Sequence, residues 1–244
     1  MSLKKYHVYG LGNALVDTEI EVTDNNLSDL GIEKGLMTLV DEERQHFLLD
    51  NLADHMVMSK LACGGSAANT VISLSQFGGK SFFSCKVADD DNGHFYMQDL
   101  ADNGVDHNAH AQISEGITGK CLVMITDDAE RTMNTFLGTS TELSSADLDA
   151  DAIADSEYLY IEGYLVTGDS AKQAAIEAVE IARLAGTKIA LSLSDPGIVE
   201  FFRAGLKEIA GPKVDLLFCN EQEALNWCET DDMDPALEHL QNTA

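Results

Sequence analysis

The sequence contains few basic residues for its size. Its 244 residues include 15 Lys and Arg against 42 Asp and Glu, which gives a formal net charge of −27 at pH 7. A surface of this charge repels the phosphates of nucleic acids and the anionic lipids of membranes. We therefore expect neither nucleic acid nor a membrane among its partners, and we expect much of the acid on solvated helix faces.

Paired cysteines and long apolar runs are also missing. The five cysteines include no C-x-x-C pair and are odd in number, and several lie in short apolar runs. This usage is typical of reduced, buried thiols in a cytoplasmic protein. The longest apolar runs have the length of strands, and no signal peptide is recognisable. Together these features predict a cytoplasmic location.

Proline is rare, and no linker, internal repeat or low-complexity segment interrupts the chain. Three prolines and scattered glycines give no sign of a second full domain. Residues 1–244 are therefore expected to form a single α/β domain around one good-sized core.

Short apolar segments alternate with longer amphipathic segments along the chain. This order predicts crossover connections and a doubly wound, mainly parallel sheet flanked by helices. The predicted strands are 6–11, 56–62, 81–87, 158–161, 188–193 and 214–219, and the predicted helices are 41–52, 67–77, 92–102, 170–185, 197–205 and 221–228.

Two regions break this rhythm. Residues 18–23 alternate polar and apolar side chains, and residues 105–136 have the pattern of several strands joined by turns. We predict that about 18–40 and 105–136 supply a small β lid outside the main sheet. A lid of this kind excludes water from a reacting site, whereas an edge hairpin would have no gating role.

Two adjacent glycines, Gly64 and Gly65, separate a predicted strand from a predicted helix. Glycine lets the backbone approach a ligand closely because it has no Cβ. Asn69, in the first turn of the helix, can both donate and accept hydrogen bonds. The pattern suits a hydroxyl-rich small molecule, and it also suits a tight strand-to-helix turn.

Polar residues follow three further predicted strands, in the segments 10–17, 192–195 and 220–223. Ligands of doubly wound folds bind beyond the carboxyl ends of the strands, so we expect these loops to share one site with Gly64 and Gly65. Asp17 can accept two hydrogen bonds from a vicinal diol, and Asn13 and Asn69 can complete the clamp.

Asn220 and Glu223 are three residues apart at the start of a predicted helix, which places them on one face. A carboxylate and an amide there can order the water shell of Mg²⁺, which prefers to keep several waters. The same pair can cap the helix, and the two roles are compatible.

Three other types of site are disfavoured. Leu15 replaces the third glycine of a dinucleotide-binding G-x-G-x-x-G motif. Aligned as a calcium loop on Gly93, the sequence places Ala88 at the first ligand position, where an oxygen ligand is needed. The seven histidines form no HExxH motif, and a surface location explains His107 and His110 better than a metal site.

These loops together resemble the ribokinase-like (PfkB) carbohydrate and nucleoside kinases, and within them most closely the adenosine kinase group. The resemblance rests on Gly12–Asp17 with its long Asn-to-Asp spacing, on Cys63–Asn69, on Leu191–Pro196 followed by Phe201 and Phe202, and on the N-x-x-E motif Asn220–Glu223.

The resemblance implies a role for each of these residues. Asp17 would hold a ribose diol, with Gly64, Gly65 and Asn69 beside it and Asn13 nearby. Further along the chain, Tyr164 and Leu165 would flank the base, Arg131 would reach the transferring phosphate, and Asn220 and Glu223 would organise Mg²⁺ and the phosphates, Glu223 through water.

The implied activity is ATP- and Mg²⁺-dependent phosphorylation of the 5′-hydroxyl of a purine nucleoside, with adenosine as the expected acceptor. A sugar kinase for ribose or fructose and a non-catalytic nucleoside-binding module are the alternatives, and a monomer and a homodimer are both compatible with the lid.

The second motif of the family, a G-A-G-D loop with the catalytic base, does not occur in this sequence. The base is therefore expected in a missing C-terminal segment, and the chain is expected to bind the nucleoside without turning it over. The Gly168–Asp169 dipeptide lies at the position of a substrate-side loop instead.

Overall fold

A computed structural model describes residues 4–58, 60–108 and 113–243. The main sheet has six strands, and all of its neighbouring strands are parallel. In spatial order they are β13 (Leu216–Phe218), β12 (Lys188–Ser192), β11 (Ser156–Glu162), β1 (Tyr6–Leu11), β5 (Ser81–Ser84) and β7 (Val105–Asp106). The chain starts in the middle and builds outward to both sides, which confirms the predicted doubly wound sheet.

Helices cover both faces of the main sheet because the central strands are apolar on both faces. Tyr9 and Leu11 of β1 pack into one core and Val8 against the other. One face carries α3 (Ser66–Gln76) and α4 (Asp91–Asp102), and the other carries α5 (Ala150–Ala154), α6 (Asp169–Ala185), α7 (Pro196–Ala210) and α8 (Glu221–Cys228), followed by α9 (Met233–Thr243). None of the helices described in these ranges is long and apolar enough to cross a membrane.

A second sheet of five strands, here called the lid sheet, projects from this body. Its spatial order is β3 (Met37–Leu39), β10 (Arg131–Phe136), β9 (Gly119–Ile125), β2 (Leu15–Glu21) and β4 (Lys60–Gly64). The short helices α1 (Asp24–Asp29) and α2 (Glu42–Asn51) cover its outer face, where Ile20, Leu48 and Leu122 share a small core. The inner face is left to line the space above the main sheet.

The strand predicted at 56–62 has the wrong start and the wrong sheet. The strand predicted at 56–62 begins at Lys60, and it pairs antiparallel with β2 in the lid sheet instead of joining the main sheet. Residues Ala53–Met58 form a 3₁₀ turn, and residue 59 lies outside the described residues. A short apolar run has the same pattern in either sheet, so the pairing partner decides its place.

The segment 105–136 divides among three sheets. β7 completes a crossover from β5 through α4 and therefore joins the main sheet in parallel. β8 (Ile113–Ser114) pairs with β6 (Val87–Ala88) in a separate two-stranded sheet. Of the strands described in this segment, β9 and β10 alone belong to the lid sheet, so the segment contributes fewer lid strands than predicted.

Candidate functional site

A cavity of about 230 Å³ lies between the inner face of the lid sheet and the carboxyl ends of the main-sheet strands. A larger and more open depression, of about 510 Å³, lies beside Thr139 and Glu142, and none of the predicted site residues lines it. The cavity, in contrast, brings together six of the predicted residues, namely Asn13, Asp17, Gly65, Asn69, Arg131 and Tyr164.

The chain passes from the main sheet to the lid sheet through the turn between β1 and β2. This crossing leaves Asn13 buried at the junction of the sheets and carries Asp17 onto the inner face of the lid. Gly64 lies so close that a Cβ there would overlap the Asp17 carboxylate. Gly65 adopts φ +96°, a conformation that favours glycine. Gly64 thus leaves room for the Asp17 carboxylate, whereas Gly65 lines the cavity itself.

Asp17 lines the polar end of the cavity, together with Asn13 and Asn69. Burial raises the pKa of its carboxyl to about 7, although the nearby Arg131 guanidinium opposes the shift and Glu19 adds to it. An acid of this kind is ionised only partly at neutral pH. The carboxylate is a strong acceptor for hydroxyl groups, so a ligand that donates to it favours the ionised form.

Glu162, at the end of β11, was not among the predicted residues. Glu162 is 1% exposed and lines the cavity. One oxygen accepts from the backbone N–H and the side-chain Nδ2 of Asn13, at 3.1 and 3.0 Å. The other accepts from Ser66 Oγ at 2.8 Å and from the Ala67 N–H at 2.9 Å. Glu162 therefore ties the β1–β2 turn to the start of α3.

Burial raises the pKa of Glu162, and its four hydrogen bonds oppose that rise. A signal for this residue was present in the sequence, because a lone carboxylate directly follows the apolar run 158–161. The rule that placed the segments 10–17 and 192–195 at the site, polar residues just beyond a strand, applies equally to Glu162.

The turn after β11 separates the two residues predicted to flank a base. Tyr164 lines the cavity, and burial raises the pKa of its hydroxyl. Leu165 is 1% exposed within the main core and does not line the cavity, because the 3₁₀ turn Gly163–Thr167 directs neighbouring side chains to different sides. Ser194 takes a lining position instead, in a left-handed conformation at φ +72°, and its Oγ accepts from the Gly163 N–H at 2.8 Å.

Asn220 and Glu223 lie outside the cavity lining and form a capping box at the start of α8. Asn220 Oδ1 accepts from the Glu223 N–H at 2.8 Å, and the Asn220 N–H and Nδ2 donate to the Glu223 carboxylate at 3.1 and 2.9 Å. Burial raises the pKa of Glu223, with a further rise from nearby Asp195. Within the described ranges, no group of three or more His, Cys, Asp or Glu side chains is placed to hold a metal.

The apolar wall of the cavity was not predicted. It comes from the inner face of the lid sheet, where Met37 of β3 lies directly opposite Met133 of β10. Because these strands are distant in sequence, only their register brings the two side chains together. The apolar lining comprises Leu15, Met37, Leu39, Met133 and Leu137.

Residues 27–244 match the sequence model of a family described as pfkB family carbohydrate kinase. Strands β1 and β2, with Asn13 and Asp17, precede the matched residues. The structures that resemble the chain include adenosine kinase from Sinorhizobium meliloti, at 37% identity and a TM-score of 0.89, with 98% of this chain and 72% of that chain covered. A probable sugar kinase from Rhizobium etli CFN 42 has 33% identity and a TM-score of 0.90, with 99% and 72% covered.

Among curated proteins, guanosine-inosine kinase of Escherichia coli K12 is 23% identical over 224 residues, which cover 89% of this chain and 51% of that protein. The chain thus spans about half the length of this curated relative. The family match covers most of the chain, and the two similar structures share the architecture described above. The chain belongs to the pfkB family of carbohydrate kinases, which includes kinases of nucleosides and of sugars.

Proposed function

We propose that this chain forms the acceptor-binding part of an ATP-dependent kinase that phosphorylates the 5′-hydroxyl of a purine nucleoside, with adenosine as the acceptor. The observation that carries the proposal is one row of side chains across the inner face of the lid sheet. In register, Asp17 lies beside Cys121, Cys121 beside Thr135, and Thr135 beside Leu39. The row runs from a carboxylate to an aliphatic side chain.

This change from polar to apolar side chains across the cavity suits a ligand that has one polar half and one apolar half. Asp17, Asn69 and Asn13 surround the polar end of the cavity, and Met37 and Met133 form the apolar end. A free sugar carries hydroxyls on all sides and leaves the methionines without an apolar partner. A nucleoside places its ribose diol against the polar end and its base against the methionines, whose sulfurs make favourable contacts with aromatic rings.

Asn220 and Glu223 fit the cofactor role that the family implies. Each Glu223 oxygen accepts one hydrogen bond from Asn220, which leaves acceptor capacity for water on both oxygens. When bound, ATP would supply the phosphoryl group, and Asn220 and Glu223 would hold waters of its Mg²⁺. The residues of the cavity would bind the acceptor, orient it and exclude water.

Titration calorimetry of the 244-residue chain with adenosine, ribose and fructose tests the proposed acceptor. Burying about 100 Å² of base against the apolar wall contributes roughly 2–3 kcal/mol, so adenosine should bind about 30- to 150-fold more tightly than ribose. Met133→Ser should reduce the adenosine affinity and leave ribose unchanged. Equal affinities for adenosine and ribose would contradict the nucleoside assignment, and a preference for fructose would favour a sugar kinase.

Gly64→Ala should weaken adenosine binding at least tenfold, because the new methyl group takes the space of the Asp17 carboxylate. The backbone of Gly64 has no positive φ, so the fold should tolerate alanine there. Gly168→Ala is the matched control, since its Cβ would make only ordinary contacts, at 3.6 Å or more. Unchanged adenosine affinity in Gly64→Ala, measured by calorimetry, would show that Asp17 is not the diol anchor.

A further inference from the structure

The inner face of the lid sheet carries an ion pair at the rim of the cavity. Residues at alternate positions of a strand share a face, so Glu19 lies on the same side of β2 as Asp17, and Arg131 lies on the same side of β10 as Met133. Arg131 Nη2 donates to Glu19 Oε1 at 3.4 Å. The pair reaches across β9, which separates the two strands.

This ion pair is open to solvent and easily separated. The Arg131 side chain is 54% exposed and the Glu19 side chain 45%. Forming an ion pair of such exposure changes an equilibrium constant, for folding or for binding, by no more than about fivefold. An anion that enters the cavity can therefore compete with Glu19 for the guanidinium.

Arg131 is the one basic side chain among the described residues that line the cavity. The chain as a whole carries a formal charge of −27, so an anionic group in the cavity depends on this arginine for local attraction. A phosphate monoester carries about −1.5 to −2 at pH 7. Glu19 pairs with Arg131, which the phosphate would otherwise contact, and its own negative charge repels the phosphate. Neither effect acts on an uncharged acceptor.

We propose that Glu19 is a specificity-determining residue, which competes with the phosphate of the reaction product for Arg131 and so weakens product binding relative to the uncharged acceptor. The inference rests on the proposed nucleoside kinase function. It gives the site a way to hold the acceptor and release its phosphorylated form, although both share the same nucleoside contacts.

Calorimetric titrations of wild type and Glu19→Gln with adenosine and with adenosine 5′-monophosphate test this role. Glu19→Gln should bind the monophosphate about three- to fivefold more tightly and adenosine within a factor of about 1.5. The gain should shrink as salt is raised, since exposed charges are screened. Glu33→Gln is the matched control, because Glu33 is an exposed residue before β3 and its substitution changes the net charge equally.

A second variant separates the role of Arg131 from a general charge effect. In an Arg131→Gln background, Glu19→Gln should no longer tighten monophosphate binding beyond the change that Glu33→Gln produces. An equal gain in both backgrounds would overturn the competition for Arg131, as would a gain of equal size for adenosine. If wild type binds neither ligand, the proposed nucleoside site itself is wrong. If adenosine binds and Glu19→Gln has no selective effect, only the role of Glu19 is overturned.

Discussion

Replacing Asp17 with asparagine is expected to weaken adenosine binding at least 100-fold and, at pH 8, to raise the free energy of unfolding of the ligand-free protein. The loss of affinity follows from the diol, because each hydrogen bond to a charged acceptor contributes about 1.5–3 kcal/mol. The gain in stability follows from burial, which raises the pKa of Asp17 from 3.8 to about 7. Ionised Asp17 therefore destabilises the empty site.

The pH dependence has a definite sign. Because the pKa of Asp17 is raised in the folded state, the folded protein retains a proton that the unfolded chain loses above about pH 4. The Asp17 contribution to stability is thus present at low pH and is lost as pH rises towards 7. At pH 8 the cost is on the order of 2–4 kcal/mol, since each unit of pKa corresponds to about 1.36 kcal/mol. Adenosine affinity should change in the opposite sense and increase between pH 5.5 and 8.

Urea denaturation and calorimetry at pH 5.5 and pH 8 measure both effects. Asp17→Asn should be more stable than wild type at pH 8 and show about half of that gain at pH 5.5, which lies midway between the unfolded and folded pKa values of Asp17. Asp50→Asn, at an exposed position of α2, is the control and should follow wild type in both. An Asp17→Asn variant that binds adenosine as wild type does would remove Asp17 from the site, and an unchanged stability at pH 8 would show that its burial carries no cost.

Strong local patterns were enough to predict much of the fold. The bounds of β1 and α8 agree with the prediction, as does the end of α6 at Ala185. Helix α1 was missed because its six residues are mostly polar, and only Leu27 is buried. Its stability depends on a Thr23 capping box and on packing against the lid sheet. The lid assignment of β4 likewise depends on a pairing partner that lies far along the sequence.

The polar half of the site was more predictable than the apolar half. Asp17, Asn69 and Gly65 were identifiable because they follow predicted strands, and ligands of doubly wound folds bind beyond the carboxyl ends of the strands. Met37 and Met133 give no local signal, since a lining methionine and a core methionine have the same pattern in sequence. Their opposition depends on the register of β3 against β10, which is a property of the folded sheet.

Glu162→Gln is expected to destabilise the protein by about 2–4 kcal/mol and to weaken adenosine binding at least tenfold. The amide keeps the shape of the carboxylate, and its oxygen can still accept from Asn13. Its NH₂ group, however, faces the Ala67 N–H, which loses its acceptor while buried. An unsatisfied buried donor costs about 1–3 kcal/mol, and the opposed NH₂ group adds to it. Glu162→Ala leaves all of the donors without an acceptor and should destabilise the protein further.

Urea denaturation and adenosine titration of the two Glu162 variants separate a positioning role from a purely structural one. Glu157→Gln is the matched control, because Glu157 is an exposed glutamate on the same strand, β11. If Glu162 positions Asn13 and the start of α3, affinity should fall in Glu162→Gln even under conditions where the variant is fully folded. Full affinity in the folded variant would restrict Glu162 to stability. Wild-type stability would instead show that the four hydrogen bonds of the buried carboxylate do not hold the β1–β2 turn against α3, and the two sheets would then meet at the cavity through packing alone.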